Sequence, residues 1–295
     1  MPKGLITKSY GRGYIVEVDG STYTAVTKAK KVDYVVGDWV VVDIINDEQV
    51  QITDLIPRAN LVYRMDHNRS KLIASNIDQI LIVIAIKPNF NPNFLNSCLL
   101  FAESAGINPY IIVNKSDMTE SFKFIQQITN LYHTKLGYTV ISLSAQANCN
   151  SLTPLLKERQ SVLIGQSGVG KSTITNQIIP EAFTSVDSIT KAETSGRHTT
   201  TNATLYHIDK TSGLIDCPGL QEFGLYHLSV EELPELFPEL RPHLNKCRFR
   251  NCRHLNEPGC MITKAHADGE IDEIRYQLLQ TLTEKLSQKT NYRLA

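Results

Sequence analysis

Apolar and polar positions alternate in short runs over the first 69 residues, the period of two that a half-buried strand shows. Gly13-Tyr14-Ile15-Val16-Glu17-Val18 and Ser21-Thr22-Tyr23-Thr24-Ala25-Val26 are such runs, and Asp19-Gly20 between them is a hairpin signal. Trp39–Ile45 follows Gly37-Asp38, and Gln49–Ile52 follows a polar turn. Several short strands in so little chain predict a small all-β barrel. An oligonucleotide-binding (OB) fold leads, with an SH3-like barrel as the alternative. From about Lys71 the pattern changes to apolar runs alternating with helical periods, as in an α/β sheet with crossover helices. Ile80–Ile86, Pro109–Val113, Tyr138–Leu143, Ser161–Ile164 and Gly213–Ile215 read as strands, and Asn93–Ala105, Ser121–Lys135 and Lys171–Ile179 as helices. Beyond about Glu222 the chain becomes mostly helical, and Ile271, Ile274, Leu278, Leu282 and Leu286 share one face of a final helix. The pattern divides the chain into 1–69, 70–225 and 226–295.

Composition adds limits. A chain of 295 residues can fill two or three cores. Its longest purely apolar run, Ile80–Ile86, is far too short to cross a bilayer, and Met1-Pro2-Lys3-Gly4 lacks an apolar stretch of leader type. A cytoplasmic protein with no membrane partner is expected. The net charge of zero hides segregation: residues 1–32 carry six Lys or Arg against two acids, and residues 33–57 carry six acids with no Lys or Arg. Arg241, Lys246, Arg248, Arg250 and Arg253 fall in a stretch without an acid. Such blocks suit either solvated faces or a nucleic-acid partner.

Two nucleotide-binding signatures stand in an inverted order. Gly165-Gln166-Ser167-Gly168-Val169-Gly170-Lys171-Ser172 is a phosphate loop, set between a strand and a helix and flanked by Ile164 and Thr173. Its glycines let the backbone curl with amides inward, Lys171 reaches the outer phosphates, and Ser172 offers a hydroxyl to Mg²⁺. Asn114-Lys115-Ser116-Asp117 is a guanine reader that precedes the loop by 51 residues. Asp117 can accept both hydrogens on one edge of guanine, Asn114 can address the opposite edge, and the Lys115 stem can lie along the base. Ser144-Ala145, after the next strand, resembles a backbone clamp on the guanine carbonyl. Downstream, Asp216-Cys217-Pro218-Gly219 ends a strand; Asp216 suits the Mg²⁺ shell and the Gly219 amide the terminal phosphate. Between them lies Gly196-Arg197-His198-Thr199-Thr200-Thr201, a candidate switch in which Thr200, with Thr199 next, would complete that shell. Sites built from loops at the carboxyl ends of parallel strands depend on strand order in the sheet, so a circular permutation leaves the pocket whole.

Cys247, Cys252, His254 and Cys260 supply three thiolates and an imidazole within fourteen residues, a donor set for one tetrahedral, structural Zn²⁺. His243 competes for the nitrogen position.

Taken together, these motifs resemble the circularly permuted GTPases of the RsgA/YjeQ family, which depend on the small ribosomal subunit. The resemblance spans nearly the whole chain and is strongest at Asn114–Asp117, Gly165–Ser172, Gly196–Thr201, Asp216–Gly219 and Cys247–Cys260. It implies an N-terminal OB-type barrel, a permuted P-loop GTPase and a C-terminal zinc domain. It also implies GTP hydrolysis with Mg²⁺, stimulated by the small ribosomal subunit, contact with its rRNA, and a role late in that subunit's maturation. A monomer cycling between GTP and GDP is expected. Where many small GTPases place a glutamine after Asp-x-x-Gly, this chain has Leu220, with Gln221 one residue late. Slow intrinsic turnover follows, and His198 is the candidate for positioning water. The rival readings are a regulatory G protein that binds only protein, an ATP-using P-loop enzyme, which Asp117 disfavours, and another permuted GTPase family.

Overall fold

The computed structural model of the chain describes residues 1–10, 13–27, 33–66, 69–180, 203–217, 225 and 228–293. Five strands close a barrel at the N-terminus: β1 Lys3–Tyr10, β2 Gly13–Val18, β3 Ser21–Thr27, β4 Trp39–Ile44 and β5 Gln49–Leu55. They run β1-β2-β3-β5-β4, and β4 returns to pair with β1. The alternation does the closing. Ile6, Val16, Val18, Val40, Val42, Val50 and Ile52 point inward and are at most 3% exposed, each such side chain contributing roughly 1.5–3 kcal/mol of burial.

A hairpin, β6 Leu61–Asp66 with β7 Arg69–Ser75, follows the barrel. Sequence pattern did not foresee it, and it straddles the expected division at residue 69. The wholly buried Asp38 pins it in place, its carboxylate accepting from Arg58 Nε at 2.6 Å, Ser75 Oγ at 2.6 Å and the Val35 amide at 2.8 Å. Gly37, at φ +90°, lets the barrel come this close, since a Cβ there would lie 2.2 Å from the Ser75 carbonyl oxygen.

The second sheet contains β8 Gln79–Ile84, β9 Asn108–Val113, β10 Thr139–Ser142, β11 Gln160–Gly165, β12 Thr204–His207 and β13 Gly213–Asp216. Its spatial order is β10-β9-β8-β11-β13-β12, parallel except for β12. The phosphate-loop strand β11 therefore sits between β8, which is early in the chain, and β13, which is late. That adjacency makes the inverted motif order workable. A single pairing, Lys8 with Thr204, carries the barrel onto this sheet.

The helix Pro92–Ala105 begins at Asn91, whose Oδ1 accepts from the Asn93 and Phe94 amides, and ends at left-handed Gly106. The expected helix Ser121–Lys135 is α-helical only over Ser121–Ile128; Thr129–Lys135 widens into a π-helix. In the C-terminal region, Met261–Ala267 and Glu273–Arg293 are helices. Ile271, Leu278, Leu282 and Leu286 of the expected apolar stripe pack into the core; Ile274 alone departs from it at 38% exposed, and Arg275 beside it is fully buried. Burial opposes the Arg275 charge, and Glu239 outweighs that opposition, accepting from its Nε at 2.6 Å. Arg275 Nη1 also donates to Asn96 Oδ1 at 3.3 Å, the same oxygen that accepts from Tyr132 Oη at 3.1 Å. One buried arginine thus fastens the C-terminal helices to the helix Pro92–Ala105. No helix among the described residues is long and apolar enough to cross a membrane.

Candidate nucleotide pocket and metal centre

β8, β9, β10, β11 and β13 present their carboxyl ends on one side, and the loops there hold the candidate residues. The phosphate loop leaves β11 at Gly165, where an added Cβ would lie 2.4 Å from the Val83 carbonyl oxygen on the neighbouring strand. It ends at Gly170, the cap of the helix Lys171–Ile178, at φ +100°. Ser172 and Thr173 are exposed on the helix's first turn, where free amides favour an anion. Lys171 Nζ donates to the Gly165 and Gln166 carbonyls at 2.8 and 3.0 Å, so it already curls over the loop it serves. Burial lowers the Lys171 pKa and raises that of Asp216, and each charge opposes the other's shift. Asp216 at the end of β13 therefore faces the phosphate-loop lysine.

The guanine-reading loop locks against the phosphate loop. Asn114 is 2% exposed. Its Nδ2 donates to the Val169 carbonyl at 2.9 Å, and its Oδ1 accepts from the Ala145 amide at 2.9 Å. Asn114 thereby braces three loops, with one amide hydrogen left uncommitted. Lys115 sits at φ +62°, a left-handed conformation that is costly for a side-chain-bearing residue. Its Nζ donates to the Gly168 carbonyl at 2.7 Å and the Lys87 carbonyl at 2.9 Å, while the Lys115 carbonyl accepts from Ser121 Oγ at 2.8 Å. The Ser116 amide donates to Leu143 O at 3.1 Å. Asp117 is exposed at the mouth; the Ser144 hydroxyl first, then its own backbone amide, hold its carboxyl below the usual range. An ionised acceptor pair is what the guanine edge requires.

Asp117 and Lys171 therefore stand on one rim, bridged by Lys115 and Asn114. Motif reading missed Lys87 and Pro88, which lie in the loop after β8 and meet Lys115 and Gly168. Their position beside the phosphate-loop strand was the available signal. His198, Thr199, Thr200, Gly219, Leu220 and Gln221 lie outside the described residues.

Gly170 tests this architecture. A Cβ on it would lie 2.3 Å from Asn114 Nδ2. Gly170→Ala is expected to weaken GTP binding by about two orders of magnitude. Left-handed strain of about 1–2 kcal/mol adds to about 1–3 kcal/mol for a buried hydrogen bond lost. Titration with a fluorescent GTP analogue reads this directly, and unchanged affinity would show that the Asn114 brace is dispensable.

The ligand atoms of Cys247, Cys252, His254 and Cys260 lie within 4.8 Å of one another. His254 Nδ1 is 3.7 Å from Cys247 Sγ and 3.5 Å from Cys260 Sγ, near the edge of about 3.6 Å that a tetrahedron with Zn–S and Zn–N bonds of ordinary length gives. Burial, with the Cys260 thiol beside it, pushes Cys252 up to about 12; a cation among such thiols is what makes them thiolates. Burial also keeps His254 neutral, the ligating form. These residues fit zinc. His243 does not join them, since its Nε2 faces Glu270 Oε2 at 3.2 Å. Glu257 shapes the loop between Cys252 and Cys260, accepting from the Arg253 and Leu255 amides at 2.9 and 3.0 Å.

Comparison with known proteins agrees with this geometry. The RsgA GTPase family model matches residues 55–226. The small ribosomal subunit biogenesis GTPase RsgA of Neisseria gonorrhoeae (strain NCCP11945) is 44% identical over 282 residues, covering 95% of this chain and 91% of that protein. The crystal structure of YjeQ from Thermotoga maritima superimposes with a TM-score of 0.75 at 24% identity, covering 97% and 98% of the two chains. That of YloQ, described as a circularly permuted GTPase, gives 0.72 at 26% identity, covering 98% and 96%. With a phosphate loop late in the chain braced against a base reader that comes early, and with identity sustained from barrel to metal centre, the chain belongs to the RsgA GTPase family.

Proposed function

We propose that this GTPase binds and hydrolyses GTP during biogenesis of the small ribosomal subunit, in contact with that subunit and its rRNA, and that the subunit accelerates hydrolysis. The single observation that carries the GTP reading is the lock between Asn114, Lys115 and the phosphate loop, which supports one pocket for base and phosphates. Asp117 accepts from the guanine edge, and the Ser144-Ala145 loop covers its carbonyl. Ile164 through Thr173 wrap the phosphates, and Gly219 contacts the terminal one. Ser172, Asp216 and Thr200 are proposed to hold Mg²⁺, which would neutralise the charge that develops on the phosphates. Water attacks the terminal phosphorus as the bond to the bridging oxygen breaks, giving GDP and phosphate.

The chain lacks a glutamine directly after Asp-x-x-Gly, which favours slow turnover until a partner completes the site, with His198 orienting water. We propose one structural zinc on the Cys₃His set, a monomer in the cytoplasm, and three working parts near 1–69, 70–225 and 226–295. The hairpin at 61–75 belongs functionally to the junction of the first two. GTP turnover measured with and without small subunits tests this reading. Stimulation of at least about tenfold is expected, within the span that partner-supplied groups give GTPases. His198→Ala is expected to abolish most of the stimulation while leaving GTP affinity intact. No stimulation by subunits would overturn the proposal; full stimulation of the variant would remove His198 from it.

A further inference from the structure

The barrel has two unlike ends. Strands β1 and β3 finish at one end; Arg12, Lys28, Lys30 and Lys31, which follow these strands in sequence, lie outside the described residues. The other rim gathers the start of β1, the Asp19-Gly20 turn between β2 and β3, and the turn from β4 to β5. The pairings place them together: the Val42 amide donates to Pro2 O at 3.1 Å, and the Thr24 amide donates to Glu48 O at 2.9 Å. Asp19, Asp47 and Glu48 are exposed on this rim and Asp43 is half-buried. None of the four makes an ion pair among the described residues; Lys3 and the N-terminal amine stand at the start of β1.

Ile44 and Ile45 project from the same rim, 54% and 51% exposed. The turn does not need them. It is closed by the Asn46 and Ile45 amides on Gln49 O at 3.2 and 2.9 Å and by Asn46 Oδ1 accepting from the Glu48 amide at 2.9 Å. Neither isoleucine belongs to the barrel core. Adjacent branched apolar side chains ringed by unpaired carboxylates have the anatomy of a small protein interface, an apolar centre with a charged rim. A phosphate backbone is repelled by such a rim, because nucleic-acid contact is carried by cations.

We propose that this rim, Ile44, Ile45, Asp43, Asp47, Glu48 and Asp19, docks a lysine- and arginine-rich segment of a protein on the small ribosomal subunit. The aliphatic stems of its basic side chains cover the isoleucines while their charges meet the carboxylates. The proposal rests on the functional reading above. It gives the barrel a division of labour, with the opposite end left for RNA.

The test uses the full chain loaded with a non-hydrolysable GTP analogue, in co-sedimentation with intact small subunits and, separately, with protein-free rRNA from them. Asp47→Lys with Glu48→Lys, and Ile44→Ser with Ile45→Ser, are each expected to weaken binding to intact subunits about tenfold, mostly by faster dissociation for the apolar pair. Neither pair weakens binding to the bare rRNA, and the charge reversal tightens it. Affinity for the GTP analogue stays unchanged, since no residue of the pocket is touched. A short crosslinker at Ile45→Cys is expected to capture a subunit protein. The proposal is overturned by a charge reversal that leaves intact-subunit binding unchanged or tighter, or by crosslinks to RNA alone. If the unaltered chain itself fails to bind subunits, the functional reading falls first, and that result is distinct from either variant outcome.

Discussion

Asp117→Asn is expected to exchange the base preference of the pocket while leaving its fold alone. The carboxylate can accept the ring N–H and the exocyclic amine of guanine together, whereas an amide offers one acceptor and turns a donor toward the amine. Hydrogen bonds to charged groups contribute about 1.5–3 kcal/mol each. Losing one, setting a donor against the amine in its place and stripping the charge from the other costs roughly 3–6 kcal/mol in all, a fall in GTP affinity of about 10²- to 10⁴-fold. Xanthine carries a carbonyl where guanine carries the amine, so the same amide matches it, and the xanthosine triphosphate is expected to become the preferred ligand. The exposed position of Asp117 and its Ser144 partner make this a local change. The brace lies elsewhere, in Asn114 and Lys115. Competition between GTP, ATP and the xanthosine nucleotide measures the switch. An affinity for GTP within threefold of the unaltered chain would show that Asp117 does not read the base.

The separation of these two roles was only half legible in sequence. The phosphate loop could be read because glycine at fixed spacing between a strand and a helix has few other uses. The inverted order could be accepted because strand order in space, not along the chain, builds such pockets. What Asn114 does could not be read, because its partners Val169 and Ala145 lie 55 and 31 residues away. Only the adjacency of β8, β9 and β11 brings them within reach.

The same limit hid other elements. β1 mixes Lys3, Thr7, Lys8 and Ser9 into its run and shifts register between Ile6 and Lys8, so its alternation is broken. β6 and β7 carry charge at Arg64, Asp66, Arg69 and Lys71 and are fixed instead through Asp38 on the barrel. Nothing in the sequence marks Arg275 as buried, since a buried arginine is tolerable only with a partner, and Glu239 is 36 residues upstream. Pattern finds elements that bury their own apolar face; it misses those held by a polar contact from afar.

The metal centre was legible as a structural donor set, but not which helices depend on it, and its removal is the second large effect expected. Cys260 caps the helix Met261–Ala267, its Sγ accepting from the Thr263 amide at 3.5 Å, and Cys247 Sγ accepts from the Met261 amide at 3.3 Å. The ligands thus start the helix that leads to Arg275, so loss of the metal propagates to the contact with the helix Pro92–Ala105. Structural zinc contributes on the order of 10–16 kcal/mol to folding of small zinc modules, more than a helical region of this size holds in reserve. Cys252→Ser leaves three ligands and is expected to lower zinc affinity at least about a hundredfold, within the loss that so large a binding energy permits. The helices Met261–Ala267 and Glu273–Arg293 then unfold at lower denaturant than the nucleotide pocket, converting one cooperative transition into two. His243→Ala serves as the control. Its imidazole faces Glu270 and not the thiols, so it keeps one zinc per chain. Elemental analysis after dialysis against a mild chelator separates the two variants. Retention of one tight zinc by Cys252→Ser, or its loss from His243→Ala, would move the nitrogen or sulfur ligand to another residue. GTP affinity is expected to survive in both, because every contact that locks the base reader to the phosphate loop lies between residues 84 and 171.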